Sequence, residues 1–83
     1  MTVELHPHAR ERLAERGATA AEVVATVLEG GSFPAKLGHT GFRRNFPFGR
    51  KWRGRYYATK QVIAYAVREQ RGWLVITVMT RFF

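Results

Sequence analysis

Two different spacings of apolar residues divide the chain near residue 40. In the first half, apolar residues recur at the i, i+3, i+4, i+7 and i+8 positions of an amphipathic helix: Ala20, Val23, Val24, Val27 and Leu28. Thr19 and Glu22 form a Thr-x-x-Glu capping box before this stripe, and Gly30-Gly31 follows it. The pattern predicts a helix between Thr19 and Gly30, with Val24 and Val27 in the core.

A shorter helix is predicted before this one. Pro7 suits the first position of a helix, and Gly17 suits a left-handed stop directly after Arg16. The first thirty residues therefore read as two helices joined by a tight turn.

The second half has the composition of strands. Segments near residues 41–48, 52–58, 61–69 and 73–80 are rich in aromatic and β-branched residues, with candidate turns at 49–51, 58–60 and 70–72. Such short connections predict antiparallel neighbours. The last two segments are apolar at both parities, which predicts the centre of the sheet. Pro34 and two glycines make residues 31–40 a loop or a short edge strand.

We therefore expect residues 1–83 to form a single α+β domain, with two N-terminal helices packed on a four-stranded or five-stranded antiparallel sheet. The chain contains no cysteine. Its N-terminus lacks a basic-then-apolar signal pattern, and no apolar run approaches the ~20 residues of a membrane span. We expect a cytoplasmic protein that has no contact with a membrane.

The charge is strongly positive and unevenly placed. The formal net charge is +8, and 11 of the 14 basic residues are arginine, which suits bidentate phosphate contacts. Six basic residues and no acidic one lie in a basic run: Arg43, Arg44, Arg50, Lys51, Arg53 and Arg55. Because aromatic residues lie among them, the run favours single-stranded nucleic acid, with Trp52 as a stacking platform. An ordinary strand with one wet face is the alternative.

The first helix carries candidate chemistry. His8 and Arg12 are four residues apart, so both project from one helix face. The positive end of the helix dipole favours a neutral His8 ring, the form that a general base needs, although a solvated or capping histidine is the simpler interpretation. Arg16 falls in the stripe that should pack inward. It requires a backbone carbonyl, a carboxylate such as Glu22 or Glu29, or a bound phosphate as its partner.

The remaining candidates are weaker. Thr77 lies in an otherwise apolar strand, where its hydroxyl must find a hydrogen bond, yet threonine is also simply a good strand former. The three histidines lack further ligands at usable spacing, so we expect no metal site and no cofactor.

The order of these motifs resembles a known family. His8-Ala9-Arg10-Glu11-Arg12-Leu13-Ala14-Glu15-Arg16-Gly17, a capped helix and a strand-rich half ending in Leu74-Val75-Ile76-Thr77-Val78 resemble the bacterial family called domain of unknown function 4258. That family is similar to the RelE and BrnT group of toxins, which cleave RNA and place two helices on an antiparallel sheet. The resemblance matches His8, Arg12 and Arg16 to its helix motif, and Thr77 to its last strand.

The resemblance implies a metal-independent ribonuclease toxin. His8 would deprotonate a ribose 2′-hydroxyl, Arg12 and Arg16 would stabilise the phosphorane, and Lys51 or a tyrosine would assist the leaving oxygen. No acidic residue lies between Glu29 and Glu69, which argues against a carboxylate acid in that half. The expected partners are RNA and an acidic antitoxin. Two alternatives are a non-catalytic nucleic-acid-binding module and a basic subunit that docks an acidic protein.

Overall fold

The computed structural model describes residues 1–83 as an α+β fold, in which two helices pack against a five-stranded sheet. The elements in chain order are β1 (Thr2–Leu5), α1 (Pro7–Arg16), α2 (Ala20–Glu29), β2 (Gly31–Pro34), a 3₁₀ turn (Lys36–Gly38), β3 (Thr40–Trp52), β4 (Arg55–Glu69) and β5 (Gly72–Phe82). The spatial order of the strands is β1-β5-β4-β3-β2. The predicted centre is confirmed, because β4 and β5 are both inner strands, and residues 31–34 form the predicted edge strand.

Strand β1 was not predicted, and it makes the sheet mixed. It pairs in parallel with the start of β5, from Thr2 opposite Gly72 to Leu5 opposite Val75. The prediction of a purely antiparallel sheet is therefore wrong. Four residues at the chain start are too few to show a period, and their partners in β5 lie 70 residues away, so only the folded chain shows the pairing.

The predicted signals at the end of α1 and at the beginning of α2 are confirmed. Gly17 follows α1 with φ at 73°, the left-handed conformation that terminates a helix. At α2 the capping box is complete: the Glu22 N–H donates to Thr19 Oγ1 at 3.1 Å, and the Thr19 N–H donates to Glu22 Oε1 at 3.0 Å. Neither helix, each ten residues long, has the length and apolar character that a membrane span requires.

Two of the predicted turns are strand instead. Gly49, with φ at 61°, lies where the β3–β4 register shifts between Pro47 and Arg50, so the glycine makes a bulge and the strand continues. The hairpin turn is at Arg53-Gly54, where φ is 52° and 82° and the flanking Trp52 and Arg55 pair. Residues 58–60 lie inside β4, where the Lys60 ammonium binds the Glu22 carboxylate and the Gly17 carbonyl. The third predicted turn, at residues 70–72, is confirmed.

The core lies between the helices and the sheet. Its twelve buried members are Leu5, Ala9, Leu13, Ala18, Val23, Val27, Phe42, Val62, Ala64, Ala66, Val75 and Val78. Val27 is buried as predicted, but Val24 is only half-buried and Leu28 is 53% exposed. Val23 and Thr26 are fully buried instead. The Thr26 hydroxyl can be buried because it donates a hydrogen bond to the Glu22 carbonyl at 2.7 Å. The side of α2 that carries Val23 and Thr26 therefore faces the core.

Candidate active site and nucleic-acid interface

Four of the predicted site residues line one cavity between α1 and β5. The cavity measures about 190 Å³. Its lining residues are His8, Ala9, Arg12, Arg16, Ile76, Thr77 and Val78. Lys51 does not line it, because this residue lies near the tip of the β3–β4 hairpin, opposite Tyr56. We call this space the α1–β5 cavity.

The end of β1 determines where the cavity opens. Its pairing with β5 stops at Val75, and the His6 N–H donates to the Val75 carbonyl at 2.8 Å as the chain turns into α1. Beyond Val75, β5 has no strand on this side. The register shift against β4 leaves Ile76 without a partner in the ladder. The cavity therefore lies at an edge of the sheet where β5 has no neighbouring strand.

Helix α1 presents its polar face to this edge. Ala9 and Leu13 are buried against the sheet, while His8, Arg12 and Arg16 follow at intervals of four residues along the cavity. His8 and Arg12 are exposed. The hydroxyl of Thr80 donates to the Arg16 carbonyl at 2.5 Å, which fixes the last turn of α1 to β5.

The capping role falls to His6. Its Nδ1 accepts the His8 N–H at 3.1 Å, and the two imidazole rings stack with centroids 5.3 Å apart. The His8 ring itself makes no hydrogen bond or ion pair within the chain. It is therefore positioned by the cap and the stack, and its nitrogens remain accessible to a ligand.

Arg16 has a buried donor with no acceptor. Its Nε atom is buried and makes no hydrogen bond. The two carboxylates that the sequence offered are engaged elsewhere: Glu22 binds Lys60 and Glu29 binds Arg44, each at 2.8 Å. A buried unsatisfied donor is costly in a folded protein. Arg16 also lines the cavity, so its guanidinium lies beside the space in which an anion could bind.

The basic run is divided between the two faces of the sheet. Strand β3 pairs Arg44 with Val62 on the helix-covered face and Arg43 with Ile63 on the other face. Arg44 forms an ion pair with Glu29, whereas the Arg43 guanidinium lies 5.0 Å from the centroid of the Phe33 ring. The run is therefore not one continuous strip.

The distal half of the run surrounds the hairpin tip. Arg50, Lys51 and Arg55 are exposed and make no ion pair with the chain's carboxylates. Arg53 donates from Nη2 to the Glu15 carbonyl at 2.7 Å, which fastens the tip to the end of α1.

Trp52 packs against the end of β5 and the end of α1. Its ring stacks on Phe82 with centroids 5.2 Å apart and planes 14° apart, and its edge contacts Gly17. The Arg53 guanidinium lies 5.0 Å from the ring centroid. Trp52 therefore supports the hairpin against α1, with one side of its ring covered by Phe82.

The burial of Lys60 was not predicted from the sequence, which places this residue in a turn. It is 2% exposed, and its Nζ binds both Glu22 Oε1 at 2.8 Å and the Gly17 carbonyl at 2.9 Å. The alternation of residues along the strand could have indicated this burial, because Lys60 lies on the same side of β4 as Val62 and Ala64. The ion pair holds the α1–α2 turn, and with it the end of α1, on the sheet.

No group of three or more metal-ligating side chains comes together in the chain. Comparison with protein-family models, with curated proteins and with solved structures found no match to this chain.

Proposed function

We propose that this protein is a metal-independent endoribonuclease of the RelE and BrnT-like toxin type, acting on RNA in the cytoplasm. The observation that carries the proposal is the α1–β5 cavity, where an accessible histidine lies beside two arginines, one of which has an unsatisfied donor. A neutral base next to anion-binding groups is what phosphodiester transfer to a 2′-hydroxyl requires.

In this mechanism His8 removes the proton from the ribose 2′-hydroxyl, and the resulting oxygen attacks the adjacent phosphorus. The bond from phosphorus to the 5′-oxygen breaks. The products carry a 2′,3′-cyclic phosphate and a 5′-hydroxyl. Positioned proton transfer of this kind contributes about 10²- to 10⁴-fold to the rate.

The arginines stabilise the charge that develops on the phosphorane. Arg16 lines the cavity while its Nε is buried in the fold, so the side chain reorganises little during the reaction. Arg12 is more exposed and binds the phosphate from the solvent side of the cavity. Thr77 donates its hydroxyl to a non-bridging oxygen. Because Lys51 lies away from the cavity, water protonates the leaving 5′-oxygen.

The basic run binds the RNA backbone on either side of the cleavage position. Four of its members are not engaged by a carboxylate or a backbone carbonyl of the chain: Arg43, Arg50, Lys51 and Arg55. Their contacts add affinity without sequence preference. An acidic antitoxin would cover the same groups, since it offers the complementary charge.

Product analysis tests the proposal. Pure protein is incubated with end-labelled single-stranded RNA in excess chelator, and the ends are identified. We expect 2′,3′-cyclic phosphate ends and no cleavage at a position that carries a 2′-deoxyribose. If both naked and ribosome-bound RNA remain intact while RNA still binds, the catalytic proposal is wrong and the non-catalytic binding module replaces it. Expression without an antitoxin should also arrest growth, which a harmless binding module would not do.

A further inference from the structure

A row of directly paired residues crosses the sheet face that the helices leave uncovered. Phe33 pairs with Gly41, Gly41 with Tyr65, and Tyr65 with Thr77. Directly paired residues of neighbouring strands share a face, so the row runs from the edge strand β2 to β5. It ends at Thr77, which also lines the α1–β5 cavity.

A second cavity lies along this row. It measures about 410 Å³, within the range of small-molecule sites. Phe33, Tyr65 and Thr77 contribute from the row, and Lys36, Leu37 and His39 contribute from the β2–β3 connection. We call it the Tyr65 groove. Thr77 lines both cavities and is the one residue that they share.

The rings of the groove are positioned by the fold. Gly41 has no Cβ, and the Phe33 ring occupies the space where one would be. Tyr65 meets that ring edge to face, with centroids 6.0 Å apart and planes 87° apart. Contacts within the chain therefore fix the positions of the Phe33 and Tyr65 rings.

The polar groups of the groove have no partner within the chain. The side chains of Lys36, His39, Tyr65 and Thr77 make no hydrogen bond or ion pair with other residues. Leu37 is 90% exposed and has φ at 61°, an unusual conformation for a branched side chain. Apolar walls with a few convergent polar groups are typical of a specific ligand site.

We propose that the Tyr65 groove binds one unpaired nucleobase of the RNA whose backbone is cut in the α1–β5 cavity. This inference rests on the proposed function. Stacking on an aromatic ring requires a base that has left its helix, so the groove selects single-stranded RNA. Tyr65 and His39 offer rings and hydrogen-bonding groups to the base. Lys36 neutralises a flanking phosphate.

The adjacency at Thr77 favours a nucleotide over a protein side chain. A base and its own phosphate are covalently joined, so a site for one is expected beside a site for the other. Phosphate binding at Arg16 and base binding at Tyr65 then belong to one strand that passes Thr77.

The experiment measures coupling between a base and the groove. Oligonucleotides with 2′-deoxyribose at the cleavage position bind without being cut, and a single abasic nucleotide is moved along each side of that position. Binding is measured by fluorescence anisotropy. We expect one position close to the cut where the abasic change weakens wild-type binding about tenfold, the usual range for one stacked base.

Variants of the groove then show whether that base lies there. In Tyr65→Ala the abasic penalty at this position should fall to within about twofold. Because Tyr65 lies in the inner strand β4, His39→Ala and Lys36→Ala, in the β2–β3 connection, provide variants less prone to unfolding. Tyr56→Ala on the distant hairpin is the matched control and should keep the full penalty.

The outcomes separate the two proposals. The absence of a position-dependent abasic penalty, or a penalty unchanged in all three groove variants, overturns the base site. The ribonuclease proposal stands in that case if RNA is still cleaved. An abasic penalty that disappears in the groove variants supports the base site even if wild-type RNA is never cut. If the groove variants instead lose only binding to an acidic protein partner, the groove is a protein-docking site and the inference is wrong.

Discussion

Lys60 and Glu22 form a buried ion pair across the interface between β4 and α2, with Nζ 2.8 Å from Oε1. The same carboxylate oxygen accepts the Thr19 N–H, and the same ammonium binds the Gly17 carbonyl. One pair of charges therefore closes the capping box of α2 and holds the end of α1. Since Arg16 directly precedes Gly17, the pair also fixes the deep end of the α1–β5 cavity.

Breaking this pair should destabilise the protein strongly. Lys60→Met keeps the length of the side chain but leaves the Glu22 carboxylate without its opposite charge and the Gly17 carbonyl without its side-chain donor. We expect the free energy of unfolding to fall by about 3 kcal/mol, measured by urea denaturation. Glu29→Gln, which removes the exposed Arg44–Glu29 pair, is the control and should cost less than about 1 kcal/mol. Equal effects of the two variants would contradict the structural role of Lys60.

The orientation of α2 is tested by charges on its two sides. Val23→Asp puts an unpaired carboxylate at a fully buried position and should unfold a domain whose stability is on the order of 5 kcal/mol. Leu28→Asp, at an exposed position of the same helix, should leave a cooperative thermal transition in place. A folded Val23→Asp variant would show that the helix is rotated from the position described.

Local signals predicted the helices well and the sheet less well. Caps and turn glycines act within a few residues, so Thr19, Glu22 and Gly17 could be assigned from the sequence. The parallel pairing of Thr2 with Gly72 depends on the whole fold. The burial of Lys60 depends on a carboxylate 38 residues away, so its polar character suggested a turn where the chain forms a strand.

Arg16 should trade stability for function. Arg16→Met retains the apolar stem and removes the buried Nε donor that has no acceptor. We expect the free energy of unfolding to rise by about 1 kcal/mol, while RNA cleavage falls about a hundredfold. Thermal denaturation and single-turnover cleavage measure the two effects. A loss of stability with unchanged cleavage would assign Arg16 a purely structural role.

The salt dependence of RNA binding should separate the arginines by their contacts. Arg43→Gln and Arg55→Gln should each lower the slope of log K against log salt by about 0.7, the value for one phosphate contact on a single strand. Arg44→Gln and Arg53→Gln should lower it less, because these side chains already bind Glu29 and the Glu15 carbonyl. Equal slopes for all four variants would show that the division of the basic run does not matter for binding.

The site was partly predictable for the same reason as the helices. A spacing of four residues places His8 and Arg12 on one helix face whatever the fold. Arg16 falls in the inward stripe of the same helix, where it requires a partner, and Thr77 is singled out by its hydroxyl in an otherwise apolar strand. The sequence predicts a catalytic role for Lys51 and RNA stacking for Trp52, and both residues lie in a basic and aromatic run. The bulge at Gly49 and the turn at Arg53-Gly54 place Lys51 on the long hairpin, away from the α1–β5 cavity, and no local pattern indicated that length.

The most direct test of the central claim is the single-turnover rate of RNA cleavage by His8→Ala. We predict a fall of about 10²- to 10⁴-fold, with RNA affinity and thermal stability nearly unchanged. His6→Asn is the control, since asparagine is also an effective N-cap, and it should lose far less activity. A His8→Ala protein that cleaves RNA at the wild-type rate would contradict the assignment of His8 as the general base.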